Sequence, residues 1–298
     1  MKKYLQGLLL IVFFLVLAQG INSEEPAPVG SKNCLWKVTS KTNTVYLLGS
    51  IHFLKKENYP LGKPYENAYN NSKILIVEAD TSGGGQEERI AALTKRLGFY
   101  NKGKTLNDVL STETYKLAKA QMESSGLDIS KYSNAKPWFL ALMIYSVKLQ
   151  SYGFSPEFGV DNYFMKRSRA EGKKIIQLET AEYQLNLFNT LPEKTQEMLL
   201  LQTIKEIEMT EKEASTVVNS WLTGDDKTLK DVLLSSFKDY PELYQKILTD
   251  RNNSWLPKIE NFLRRRDNYL VVVGTGHLIG DNGLVNQLKE RGYEVIRQ

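Results

Sequence analysis

TVYLLGSIH, residues 44–52, contains an apolar run that ends at Gly49 and is followed three residues later by His52. LVVVGTGH, residues 270–277, repeats the pattern with Gly274 and His277, and these are the only two histidines in the chain. Short apolar runs of this kind predict strands buried on both faces of a parallel sheet. A glycine at the end of such a strand allows a sharp turn and a close approach of backbone or ligand. Both histidines are therefore predicted at the carboxyl edge of a sheet, where α/β proteins bind ligands.

Four further apolar runs predict the rest of the sheet. Residues 35–38 are expected to form a hairpin with 44–48, and three more strands are predicted at 73–78, 174–178 and 293–296. Glu78 ends one of these strands, and Glu179 directly follows another. Helical patterns fill most of 86–168 and 181–263, and a further helix is expected near 282–291. This order predicts an α/β fold with a central mixed, mostly parallel sheet and a large helical insertion.

Composition excludes several classes of protein. The chain has 298 residues, of which 24% are charged and 42% hydrophobic, so disorder and collagen-like order are excluded. Its formal net charge of +5 is a mild excess without a long basic run, so no nucleic-acid partner is expected. We predict one α/β domain over residues 33–298, since this length can bury a sizeable core.

The first residues resemble an export signal. Lys2 and Lys3 precede an apolar run at 8–17, and the small residues at 18–20 predict cleavage after residue 20. This run is shorter than the roughly 20 residues that span a bilayer, so an uncleaved membrane anchor is the lesser alternative. Residues 21–32 are interpreted as a linker, and the protein is expected in the periplasm or the medium. Cys34 is the single cysteine, which excludes an internal disulfide and predicts a free, partly buried thiol.

His52, His277 and Glu78 form the candidate site, because three remote segments bring two imidazoles and a carboxylate to one sheet edge. Such a set suits a divalent metal such as Zn, Mn or Fe, with an open position for an activated water. The same residues also work without metal, as a general base and an orienting carboxylate. The alternative is that both histidines are structural and that Glu78 caps a helix.

The motifs of the chain resemble those of the TraB/GumN family, which includes the PrgY pheromone-shutdown proteins and the Tiki proteases that act on Wnt. The resemblance implies a metal-dependent hydrolytic centre and a fold similar to that of the erythromycin-esterase and ChaN-like proteins. It implies that His52, Glu78 and His277 bind the metal, which could also be Co, and that Arg251 holds a substrate carboxylate or an oxyanion. The motifs that carry it are LWKV at 35–38, LLGSIH at 47–52, IVE at 76–78, GVD at 159–161, LET at 178–180, RN at 251–252 and VGTGHL at 273–278.

Three further residues are secondary candidates for the site. Glu179 is either a fourth ligand or a supporting partner, or else it caps the helix that starts near Thr180. Asp161 opens a helical segment, so we interpret it first as an N-cap residue and second as a site residue. Asn252 follows Arg251 in the Arg-Asn motif; without the resemblance, an arginine on a helix is usually solvated.

Together these features predict an exported metal-dependent hydrolase, most of all a protease or peptidase acting on a peptide or protein. One alternative is a non-catalytic envelope protein that binds a peptide or a small ligand in the same crevice. Another alternative is an esterase-like hydrolase of a small-molecule ester, since kinship at the level of the fold does not choose the bond that is cleaved. The only expected link to a membrane is the export signal, if it is not cleaved.

Overall fold

The computed structural model of the chain describes residues 33–206, 211–235, 237 and 240–298. The predicted export signal and linker, residues 1–32, lie outside the described residues. Within the described residues, no helix is both long enough and apolar enough to cross a membrane.

A six-stranded mixed sheet forms the centre of the fold, with strand order β4-β3-β5-β2-β1-β6. Four neighbouring strands, β4, β3, β5 and β2, are parallel, whereas β1 pairs antiparallel with both β2 and β6. The predicted mostly parallel sheet and its N-terminal hairpin are therefore confirmed. The strands are β1 (Leu35–Thr39), β2 (Thr44–Ser50), β3 (Ile74–Val77), β4 (Lys174–Gln177), β5 (Tyr269–Gly274) and β6 (Val295–Arg297).

Helices fill the connections between the parallel strands. Most of them lie between β3 and β4 and between β4 and β5, which confirms the predicted α/β fold with a large helical insertion. The helices are α1 (Lys63–Asn70), α2 (Gln86–Gly98), α3 (Thr112–Ser124), α4 (Pro137–Ser151), α5 (Val160–Ala170), α6 (Ala181–Asn189), α7 (Glu193–Glu206), α8 (Glu211–Thr223), α9 (Asp226–Ser235), α10 (Pro241–Tyr244), α11 (Asp250–Leu263), α12 (Thr275–Leu278) and α13 (Leu284–Glu290).

The core lies on both faces of the sheet, as the continuous apolar runs predict. Every residue of β3 and of β5 is buried. Helix α4 is buried along almost its whole length, because its sequence is apolar on nearly every side. Cys34 is free and fully buried rather than partly buried, and burial raises the pKa of its thiol to about 12. The last strand begins at Val295, two residues later than predicted.

Two glycines allow backbone segments to meet at the carboxyl edge of the sheet. A Cβ atom on Gly49 would lie 2.8 Å from the Thr275 hydroxyl oxygen and 3.1 Å from the Thr275 Cα. A Cβ atom on Gly159 would lie 2.4 Å from the carbonyl oxygen of His52. The close backbone approach predicted for Gly49 is therefore confirmed. Gly274 differs, because its φ of −50° is accessible to any residue.

We expect Gly159→Ala to lower the free energy of unfolding by about 1–3 kcal/mol, because the added methyl group overlaps the His52 carbonyl in a packed region. The matched control is Gly62→Ala, whose Cβ would meet its nearest neighbours at an ordinary 3.7 Å. Urea denaturation of both variants measures the difference. Equal stability of the two variants would show that the 51–53 segment and the start of α5 are not tightly packed.

Candidate functional site

Each of the four parallel strands is followed by a polar residue at the same edge of the sheet. In the order of the strands across the sheet these residues are Glu179 after β4, Glu78 after β3, His277 after β5 and His52 after β2. Ser50 and Gly274 are register partners in adjacent strands. His52 lies two residues beyond Ser50, and His277 lies three residues beyond Gly274. The structure thus brings together the residues predicted for the site, and all are buried or nearly so.

His52 is held by Asp161, a residue from the first turn of α5. The His52 Nδ1 lies 2.6 Å from the Asp161 Oδ2, and the Ser50 hydroxyl donates to the Asp161 Oδ1 at 2.8 Å. With Oδ2 as acceptor, the neutral imidazole carries its proton on Nδ1, and the second ring nitrogen, Nε2, is directed away from Asp161. This is a carboxylate–histidine pair of the kind that orients a general base.

The start of α5 packs against the segment that carries His52, which explains why Asp161 reaches the imidazole. The Val160 N–H donates to the Ile51 carbonyl at 3.0 Å, and Gly159 leaves room for the His52 backbone. The preferred interpretation of Asp161 as an N-cap is wrong. Gly159 is the N-cap residue of α5, and Asp161 lies inside the helix with its carboxylate on Ser50 and His52.

Arg251 connects three strands through one buried guanidinium group. Its Nε donates to Glu179 at 3.0 Å, and its Nη2 donates to Glu78 at 2.5 Å and to Glu179 at 2.6 Å. Its Nη1 donates to the His277 Nε2 at 2.9 Å and to the Ile247 carbonyl at 3.1 Å. A guanidinium has five N–H groups, and these contacts use all of them. The expectation of a solvated helical arginine is wrong, since Arg251 is fully buried.

The two glutamates are fixed on both sides by other donors. The Gly274 N–H donates to the Glu78 Oε1 at 2.7 Å, and Gln184 donates to its Oε2 at 3.1 Å. Glu179 also accepts from the Trp255 indole at 3.0 Å. Neither glutamate caps a helix: the N-cap of α6 is Thr180, whose hydroxyl accepts from the Tyr183 N–H. Glu179 is therefore a supporting partner of Arg251.

His277 is fixed at both ring nitrogens. Its Nδ1 lies 2.6 Å from the Asn252 Oδ1, whose amide group also donates to the Asn282 carbonyl at 2.9 Å. Because the Nδ1 proton goes to Asn252, the lone pair on Nε2 accepts the hydrogen bond from Arg251. The Trp255 ring packs against the imidazole with 4.3 Å between the ring centroids. Asn252, a secondary candidate from the sequence, thus lies beside His277.

The two imidazoles have opposite electrostatic environments. Burial and the Arg251 charge hold the pKa of His277 well below its ordinary value, so this ring is neutral. Burial by itself lowers the pKa of His52 as well, but the Asp161 carboxylate outweighs it and the pKa is raised. Glu78 lies close enough to His52 for its charge to favour the imidazolium. Burial raises the pKa of Glu78, while Arg251 opposes that shift.

The arrangement does not fit a metal ion held by His52, Glu78 and His277. The described residues contain no group of three or more His, Cys, Asp or Glu side chains placed to hold a metal. The His277 Nε2 and the Glu78 Oε1 are 3.9 Å apart, and Arg251 donates to Nε2 and to the other Glu78 oxygen. The predicted metal dependence stays a prediction.

Sequence reasoning missed three contributors to the site. Trp255 lies four residues after Arg251 on the same face of α11, a spacing that could have connected the two. Ser50 lies inside the Gly-x-x-His motif, but nothing in the sequence marks its bond to Asp161. Gln184 has no signal of its own, because its contact with Glu78 depends on how α6 packs against the sheet edge.

Comparison with known proteins agrees with the motifs around this site. The sequence profile of the TraB/PrgY/gumN family matches residues 34–297, which include every residue of the cluster. The chain belongs to the TraB/PrgY/gumN family. The resemblance recognised from the Gly-x-x-His motifs is therefore confirmed, and it extends over nearly all of the described residues.

Two bacterial proteins match this TraB/PrgY/gumN chain over most of its length. The uncharacterized protein YbaP of Escherichia coli (strain K12) is 26% identical over 246 residues, which cover 82% of this chain and 87% of YbaP. YbaP of Shigella flexneri matches with the same identity and coverage. No solved structure matches the chain.

Because the chain has only two histidines, [15N]histidine labelling gives two imidazole spin systems that NMR can follow through a pH titration. We expect His277 to stay neutral with its proton on Nδ1 throughout the folded range, since its pKa lies well below 6.5. We expect His52 to become protonated with a pKa above 6.5. A His277 ring that titrates near 6.5, or a His52 ring that titrates below it, would contradict the described contacts. A His52→Gln sample assigns the two spin systems.

Proposed function

We propose that this protein is a hydrolase in which His52, oriented by Asp161, acts as the general base that activates a water molecule. The observation that carries the proposal is the buried contact of 2.6 Å between the His52 Nδ1 and the Asp161 Oδ2. A carboxylate in this position fixes the tautomer, so that Nε2 accepts a proton, and it stabilises the imidazolium that forms. The raised pKa of His52 agrees with this role, since it makes the imidazole a stronger base.

The surroundings of the two histidines shift their pKa values in opposite directions. Environments that push the pKa values of two like groups apart assign them different roles. His52 has its pKa raised beside Asp161, whereas the pKa of His277 is lowered and its Nε2 accepts from Arg251. His277 therefore serves in this proposal as a neutral group that keeps Arg251 and Glu78 in place.

Arg251 has a structural part in the proposed reaction. All of its N–H groups point to protein acceptors, so in this arrangement it donates to no substrate carboxylate or oxyanion. The role that the family resemblance suggests for it would need one of these bonds to break. Its charge stabilises the Glu78 carboxylate, which in turn lies within electrostatic reach of His52.

A peptide or protein substrate remains the first proposal for the bond that is cleaved, and a small-molecule ester the second. Both rest on the family resemblance, since the chemistry of a general base suits either bond. An envelope location after export is likewise a proposal from the N-terminal sequence. A panel of chromogenic esters, casein and fluorescence-quenched peptides separates the two bond classes.

We expect His52→Gln to lower kcat/KM by about 10²–10⁴-fold on whichever substrate of the panel is cleaved, because the general base is lost.

We expect Asp161→Asn to lower kcat/KM as well and to move the acidic limb of the pH–rate profile to lower pH. The sign follows from the pKa of His52. In the native protein the base is active only above a pKa that lies above 6.5, and loss of the carboxylate lowers that pKa.

Asp281→Asn is the matched control, since the Asp281 side chain is 94% exposed and lies on the surface. Its rate and pH profile should equal those of the native protein. Full activity in folded His52→Gln protein would overturn the proposal. Tight binding of a panel peptide without turnover would instead support the non-catalytic binding protein. Chelator treatment with EDTA tests the predicted metal dependence in the same assays.

A further inference from the structure

The Arg251 guanidinium lies where three acceptors converge that could otherwise bind a cation. Glu78 and Glu179 contribute carboxylate oxygens at 2.5 and 2.6 Å from Nη2, and His277 contributes its Nε2 at 2.9 Å from Nη1. All of these side chains are at least nine-tenths buried. A buried cluster of two carboxylates needs a positive charge, because unpaired charges are costly away from water. The chain provides that charge itself.

A metal ion would need the same electron pairs that Arg251 uses. A neutral imidazole has one acceptor nitrogen, and in His277 the other nitrogen carries the proton that goes to Asn252. The lone pair on Nε2 can therefore accept from Arg251 or bind a metal, but not both. The Oε2 of Glu78 faces the same choice, because its two lone pairs already accept hydrogen bonds from Arg251 and Gln184.

We infer that Arg251 is a built-in cation that excludes divalent metal from Glu78 and His277, so that metal and the guanidinium compete for one position. Removal of the guanidinium should leave two carboxylates and an imidazole nitrogen, which is a donor set that suits Zn²⁺. This inference concerns which cation the site holds. It does not rest on the proposed hydrolysis, and metal binding is measured separately from turnover.

Zn²⁺ titration of [15N]histidine-labelled protein tests the competition directly, because ligation by His277 shifts the resonance of its Nε2. Metal stoichiometry after dialysis gives a second readout, on protein purified without a histidine tag. For the native protein we expect that the His277 Nε2 resonance does not shift and that no zinc ion binds at His277. For Arg251→Ala we expect one bound equivalent and an affinity for Zn²⁺ at least tenfold above that of the native protein.

Arg251→Ala leaves two buried carboxylates without their partner and can unfold for that reason. The second variant, Arg251→Ala with Glu179→Gln, removes one of these charges and keeps Glu78 and His277. Adding His277→Ala to either variant should abolish the gained zinc. Arg169→Ala is the matched control, because Arg169 pairs with Asp80 at 2.5 Å in a more exposed position and its loss should leave zinc affinity unchanged.

Native protein that binds one equivalent of Zn²⁺ with a shifted His277 Nε2 resonance would overturn the inference, and this measurement decides it even if neither variant folds. A folded Arg251 variant with unchanged zinc affinity would overturn it too. The hydrolase proposal fails on a different measurement, namely when His52→Gln leaves turnover unchanged.

Discussion

One buried guanidinium holds the site together. Arg251 comes from α11, and its hydrogen bonds reach the ends of β4, β3 and β5 through Glu179, Glu78 and His277. A buried ion pair adds little net stability relative to apolar residues, but removing one partner costs about 3–5 kcal/mol because a charge is left uncompensated. The positions of both glutamates and of the His277 ring are therefore set by a residue that lies on none of their strands.

The site divides into two parts with different character. Around Arg251, each polar group has a partner within the protein, and the neutral His277 ring is packed against Trp255. Beside it, His52 is paired with Asp161, which raises the pKa of the imidazole above its ordinary value. The first part is suited to keeping the side chains around Arg251 in fixed positions, and the second is suited to proton transfer. Glu78 connects them, since its charge acts on both Arg251 and His52.

Local patterns predicted some parts of this arrangement well and others poorly. The strands around Gly49 and Gly274 were predictable, because buried parallel strands have continuous apolar runs and their carboxyl ends meet at one edge. The N-cap interpretation of Asp161 fails, since a carboxylate near a helix start is usually an N-cap and only the packing of α5 against residues 51–53 reveals its partner. The burial of Arg251 cannot be read from the sequence for a similar reason, because helical spacing does not indicate which face of α11 is buried when that face carries a charge.

The family, the class of fold and the meeting of both histidines at the carboxyl edge of the sheet follow from the amino-acid sequence. These features depend on hydrophobic period and on motif order, which are local properties of the chain. The tertiary structure alone decided the partners: Asp161 for His52, Asn252 for His277, and Arg251 for Glu78 and Glu179. The physical reason is that partners far apart in the chain are chosen by how helices pack on the sheet. A buried charge needs a hydrogen-bonding or oppositely charged partner within a few ångströms, and the packing determines which groups come that close.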